Sequence, residues 1–286
     1  MPIIMKNVNV THPKPPSQEA KKIFRKLGTC SQTFFHILNR EFGRSQETKE
    51  RAADTLSGGL MQKGYQCGML WGCSLAIGAE AYRRHDDLNL AAQVAVKATQ
   101  NVMASFESRE GTVNCREITR CDFSNKLSFA RYFISGRFLH CFDLAQRWAP
   151  EALESALQGL SADKDVSTLK TVNCASEVAR KMGATDEETV MVSGFAGGMG
   201  LCGNACGALA AAIWLSSLAW CREHDTKSSH KNPDAGRVLK AFEEESDGKI
   251  LCSELSGQKF NTLRQHSSFV ANGGCEDLIA RLAEAN

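Results

Sequence analysis

One ordered set of cysteines recurs in this chain, and everything else has to be arranged around that repetition. In the second half the order is Asn173-Cys174-Ala175, then Gly197-Gly198-Met199, then Gly203 with Cys206-Gly207, then Leu251-Cys252-Ser253-Glu254-Leu255, then Cys275-Glu276-Asp277-Leu278. In the first half it is Thr29-Cys30-Ser31, Gly58-Gly59-Leu60, Gly64 with Cys67-Gly68, Asn114-Cys115-Arg116-Glu117-Ile118, and Cys141-Phe142-Asp143-Leu144. The offsets between partners are 144, 139, 137 and 134 residues, so only the connections have changed length. Eight of the twelve cysteines pair off in this way, which leaves Cys73, Cys121, Cys202 and Cys221 without partners. Self-similarity of this kind marks a repeated supersecondary unit. The sequence therefore predicts a first cysteine-rich repeat over residues 1–160 and a second over 161–286, joined by the small, polar stretch Ser161 to Ser167.

Periodicity predicts an all-α chain: two pseudo-symmetric helical repeats packed together, with the cysteines at helix ends and in glycine-rich loops. Leu90, Val94, Ala98, Met103 and Phe106 fall mostly at helical spacing. Ala184 to Glu188 carries capping and acidic first-turn residues, with Gly183 placed to end the preceding helix. No stretch alternates as a strand does. The apolar run Ala205 to Trp220 is shorter than the ~20 residues a membrane span requires, and it reads as a buried helix. With 34 basic and 32 acidic residues and no basic stripe, the chain lacks the electrostatic footprint of a nucleic-acid binder.

The N-terminal stretch Met1 to Leu27 has no signal-peptide pattern, so a cytoplasmic location is expected, and in a reducing compartment many cysteines point to metal binding or catalysis more than to disulfides. Within each copy the four cysteines lie far apart, unlike the close knuckles of a zinc finger. Four thiolates brought together from separate helix ends fit an iron-sulfur site better. The candidate ligands are Cys30, Cys67, Cys115 and Cys141 in copy one and Cys174, Cys206, Cys252 and Cys275 in copy two, with Cys73 and Cys202 as extra thiols, either further ligands of a larger cluster or free thiols beside the metal. Gly197, Gly198, Gly200 and Gly203 are expected to bring backbone amides close to an anionic cluster. His140 precedes Cys141, but Gly274 occupies the matching place before Cys275, which argues against a histidine ligand.

On these residues the chain resembles the C_GCAxxG_C_C family of redox-active proteins, named for its cysteine pattern. The stretch from Asn173-Cys174-Ala175 through the glycine loop to Cys206-Gly207-Ala208, Cys252 and Cys275 follows the family order, and Cys30, Cys67-Gly68, Cys115 and Cys141 follow it more loosely. Ala211 stands where the family box ends in glycine; Gly72 keeps that glycine in copy one, where Met69 replaces the box alanine. The resemblance implies a redox role with an iron-sulfur cluster as the expected cofactor, and a tandem chain that looks like a fused dimer of single units.

The expected function is accordingly a cluster-binding redox protein, acting in electron transfer or as a reductase. Each repeat would hold one site, 4Fe–4S or 2Fe–2S, with up to two clusters per chain. A redox partner protein or a small-molecule acceptor would exchange electrons with it, and the chain would act as a monomer or a homodimer. Two alternatives compete: a metal-free dithiol oxidoreductase using Cys202 and Cys206 as a pair one helical turn apart, and a thiolate protein binding zinc or copper. The copies are expected to differ because copy one has Thr55, Met61 and Lys63 opposite Gly194, Gly200 and Cys202, giving fewer close amides and a nearby positive charge.

Overall fold

The computed structural model of the chain describes residues 15–161, 171–224 and 232–285. The expected linker therefore lies, from residue 162 on, outside the described residues. Among them are fifteen α-helices and no strand; the only extended pairings described are two isolated antiparallel bridges.

After α1 (Ala20–Leu27), copy one runs through α2 (Cys30–Glu41), α3 (Glu47–Ala52), a 3-10 turn at Ala53–Leu56, α4 (Gly68–Arg84), α5 (Leu88–Glu110), α6 (Cys115–Thr119), α7 (Lys126–Ile134) and α8 (Phe138–Leu160). Copy two repeats the series as α9 (Cys174–Lys181), α10 (Asp186–Met191), a 3-10 turn at Ser193–Phe195, α11 (Gly207–Glu223), α12 (Pro233–Glu245), α13 (Cys252–Leu255), α14 (Leu263–Ala271) and α15 (Glu276–Glu284). Local chemistry sets these ends. Thr185 and Glu188 form a reciprocal capping box at the start of α10, and Asp87 accepts the Asn89 and Leu90 amides at the start of α5.

The copies share one continuous apolar core running from Ala20 to Leu282. Their packing is reciprocal. Helix α4 lies against α10 and the turn at Ser193–Phe195, while α11 lies against α3 and the turn at Ala53–Leu56. Trp71 meets Phe195 edge-on across this seam, with ring centroids 4.8 Å apart. The Trp214 indole donates to the Lys49 carbonyl at 3.3 Å, and the Thr55 and Ser217 hydroxyls are 2.9 Å apart. Glu187 of α10 takes ion pairs from Arg44 at 2.9 Å and from Lys49 at 2.6 Å. Small residues make the close approach possible: a Cβ on Gly78 would lie 2.4 Å from the Met191 Cα.

This contact tests the seam directly. Gly78→Ala forces α4 and α10 apart and is expected to lower stability by about 1–3 kcal/mol in chemical denaturation, the usual cost of overpacking. A loss under ~0.5 kcal/mol would mean that the copies are not packed this closely.

Candidate functional site

The decisive local structure is the turn that precedes the second cysteine of each copy. Gly58, Gly59, Leu60, Met61 and Gln62 all have positive φ, from 49° to 77°, and so do Gly197, Gly198, Met199, Gly200 and Leu201, from 58° to 76°. Such a left-handed run is costly for residues with a Cβ, yet the two copies close it with the same bonds. The Met61 amide donates to the Thr55 carbonyl and the Gly200 amide to the Gly194 carbonyl, both at 2.8 Å. Gly64 to Gly58 at 3.0 Å and Gly203 to Gly197 at 2.9 Å complete the turn. Glycine is indispensable at one point in each, because a Cβ on Gly59 or Gly198 would fall 2.4 or 2.5 Å from the backbone nitrogen of Tyr65 or Asn204. The expectation that Met61 in place of Gly200 gives copy one a different loop with fewer close amides is thus corrected: Met61 and Gln62 adopt the same left-handed backbone as Gly200 and Leu201, and the Gly58 amide serves Cys30 as Gly197 serves Cys174.

From this turn the chain enters a two-bond antiparallel bridge that joins the second and third cysteines. Cys67 donates to Val113 at 2.8 Å and Cys115 to Tyr65 at 2.6 Å; Cys206 to Ile250 at 2.9 Å and Cys252 to Asn204 at 2.6 Å are the copy-two pair. All eight duplicated cysteines then stand at helix starts. Cys30, Cys115, Cys174 and Cys252 are first residues of their helices, Cys67, Cys206 and Cys275 are N-caps, and Cys141 lies in the first turn of α8.

In copy one the four thiols line one cavity of about 200 Å³. Its walls are mostly apolar, including Phe24, Met69, Phe123 and Phe129. The Cys67 thiol donates to the Cys30 sulfur, and with the Gly58 and Ser31 amides this holds the Cys30 thiol below its ordinary value despite burial. The same bond and burial push the Cys67 thiol up. Burial also raises Cys115, and negative charge on Cys30 or Cys141 raises it further, which places the three within electrostatic reach of one another. Cys141 is pushed up to about 11 by burial, opposed by a hydrogen bond with the Tyr132 hydroxyl at 3.5 Å.

Copy two repeats the grouping. Burial raises Cys252, and negative charge on Cys174, Cys206 or Cys275 would raise it further. Cys174 is pushed up to about 11 by burial, opposed by the Gly197 amide. That amide is the counterpart of Gly58. Of the four glycines expected near the site, Gly197 bonds the sulfur, while Gly198 packs on Asn204, Gly200 on Gln100 of α5, and Gly203 on Ser253.

Other expected residues fall elsewhere. Cys73 is buried in α4, where burial alone raises its thiol. Cys202 is exposed on the turn, with its thiol donating to the Gly200 carbonyl at 3.7 Å. Cys202 and Cys206 do not share a helical turn, because α11 begins only at Gly207; one thiol faces solvent and the other its buried partners. Lys63 pairs with Glu243 of α12 at 2.8 Å and so points to the other copy. His140 pairs with Glu110 at 3.2 Å. The seam between copies takes Trp71, Phe195 and Trp214, while Phe24, Phe123 and Phe129 wall the copy-one cavity.

Two residues of copy one were given no role by the sequence. Cys121 is buried close enough to Cys115 for its charge to raise that thiol, and Tyr132 reaches Cys141. At the 137-residue offset of the third cysteines their counterparts are Gln258 and Phe269. Following the Cys115/Cys252 offset through the next helix would have exposed both differences.

The description "Putative redox-active protein (C_GCAxxG_C_C)" matches residues 29–152 and 172–285. The chain belongs to this family. Each match encloses one complete set of four thiols, and the duplication is that of the family unit. No curated protein and no solved structure matches the chain.

The thiols of the metal-free protein differ in acidity in a way that can be measured. Cys30 is lowered and Cys174 raised to about 11, so at pH 8 a larger share of Cys30 is thiolate, the reactive form. Iodoacetamide is expected to alkylate Cys30 at least ~10-fold faster than Cys174 at pH 8, with Cys174 catching up as pH rises toward 11. Equal rates at pH 8, read by peptide mass spectrometry, would contradict this site geometry.

Proposed function

We propose that each copy holds an iron-sulfur cluster on its four duplicated thiolates and that the chain works as an electron-transfer protein or reductase. The observation carrying this reading is the convergence of four thiols, from four separate helix starts, on one largely apolar cavity in copy one, with the same thiols grouped in copy two. Among the described residues no group of three or more His, Cys, Asp or Glu stands closed around a metal-ion position as the side chains lie. A cluster spreads its thiolates over several irons, so an all-thiolate set around a small cavity suits it.

When bound, such a cluster supplies a one-electron couple. The protein's own residues supply the rest. Helix starts and the Gly58 and Gly197 amides place positive partial charge at the first sulfur of each site, which favours thiolate. The apolar wall excludes water and strengthens those interactions. Tyr132 adds one hydroxyl donor to Cys141 in copy one.

The Cys67-to-Cys30 hydrogen bond favours a second reading, in which that adjacent pair cycles between dithiol and disulfide without metal. Thiolate-to-iron absorption in the visible separates the two, since thiols and disulfides are colourless there.

Two outcomes follow from the cluster reading. Cys252→Ser is expected to remove about half the iron, because a hard hydroxyl replaces a soft thiolate in one of two sites; unchanged iron would remove Cys252 from the ligand set. Hydrogen bonds to sulfur stabilise the reduced, more negative state, so Tyr132→Phe is expected to lower the copy-one potential by ~60 mV or less, about 1.4 kcal/mol for a one-electron couple. A redox titration in which neither potential moves would exclude tuning by that hydroxyl.

A further inference from the structure

Helix α7 carries an apolar ridge that no described residue covers. Tyr132 is its one buried residue. Leu127 is 80% exposed, Ile134 88% and Phe133 49%, and Leu139 at the start of α8 is 44% exposed. Helical spacing stacks Leu127, Ala130 and Ile134 along one line, with the exposed Lys126 on one side of it and the exposed Arg131 on the other. Arg137 follows just beyond, donating to the Arg120 carbonyl at 3.3 Å. No carboxylate stands on α7, and the nearby Asp122 is engaged by Arg116 at 3.4 Å. The corresponding helix of copy two, α14, presents Arg264, Gln265 and Ser268 to solvent, so the ridge belongs to copy one alone.

We infer that α7 docks the protein, reversibly, on an anionic lipid surface, with Leu127 and Ile134 entering the headgroup boundary and Lys126, Arg131 and Arg137 meeting the lipid phosphates. Phe and Leu on one face with flanking Lys and Arg is the composition of interfacial helices, and long basic side chains keep their charge in water while their stems lie on the apolar layer. Lipid suits the ridge better than protein does. The most exposed apolar tips are Leu and Ile, with no exposed Trp or Tyr of the kind that anchors protein interfaces. A twofold contact with a second copy would gather Lys126 and Arg131 of both copies at one interface with no carboxylate on α7 to pair them. The inner side of α7 gives the docking a consequence, since Phe129 and Tyr132 line the copy-one thiol cavity. Docking therefore carries that site, rather than the copy-two site, to the lipid surface. The inference stands whatever redox chemistry the thiols perform.

Co-sedimentation of the full chain with vesicles tests it. At low ionic strength the protein is expected to pellet with phosphatidylglycerol/phosphatidylcholine vesicles and to stay in solution with phosphatidylcholine alone. Leu127→Glu with Ile134→Glu is expected to reduce bound protein by more than ~10-fold, and Arg131→Gln by about fivefold, the effect of one cation near an anionic surface. Both changes are at exposed positions, and an unchanged thermal melt confirms intact folding. No pelleting with anionic vesicles overturns the inference. So does pelleting that the Leu127/Ile134 change leaves intact, or a concentration-dependent dimer abolished by that change in a protein that ignores vesicles.

Discussion

The left-handed turn before the second cysteine is the constraint on which the rest depends. Five residues in succession with positive φ reverse the chain tightly enough to do three things. It aims the Gly58 or Gly197 amide at the first cysteine's sulfur. It delivers the second cysteine as the N-cap of a long buried helix. It aligns the bridge that fixes the third cysteine beside the second. The backbone cost is met by the bonds that close the turn and by burial of Leu60 and Met199 at its centre. Copy one shows that this geometry does not require glycine throughout: Leu60, Met61 and Gln62 hold it where copy two uses Met199, Gly200 and Leu201.

The second requirement is the shared core. Neither α4 nor α11 could be covered on all sides by its own repeat, and each is covered by the α3- or α10-type helix of the other. Gly78 against Met191 and Thr55 against Ser217 are the contacts that set the distance. A pseudo-symmetric seam of this kind buries the long helices and leaves the short helices α6, α7, α13 and α14 outside, next to the thiols. The sites therefore sit at the rim of the core, with Cys67, Cys174 and Cys206 part of it, and their outer surroundings can diverge while the scaffold stays fixed.

Much of this was legible in the residues. The order of cysteines and glycines revealed the duplication, and helical spacing with capping residues revealed helices such as α5 and α10. Grouping by cysteine order also named the thiols that the fold brings together. The failures have physical causes. Cys202 and Cys206 look paired because four residues separate them, but positive φ at Gly203 and the late start of α11 put them in different environments. Lys63 looks like a charge at the site because it lies near Cys67 in sequence, whereas tertiary contact turns it to Glu243. Tyr132 went unnamed and Cys121 was read only as a cysteine without a partner, because their significance arises only when α6 and α7 fold back over Cys115 and Cys141.

The central claim is that each set of four thiols acts as one cluster-holding unit. Iron and acid-labile sulfide analysis of the anaerobically purified full chain, with native thiol titration on the same sample, tests it most directly. The account predicts iron and sulfide in equal amounts, a visible thiolate-to-iron band, and eight duplicated cysteines protected from the titrant. A colourless protein without sulfide, whose duplicated cysteines all titrate as free thiols or do so once disulfides are reduced, would contradict it.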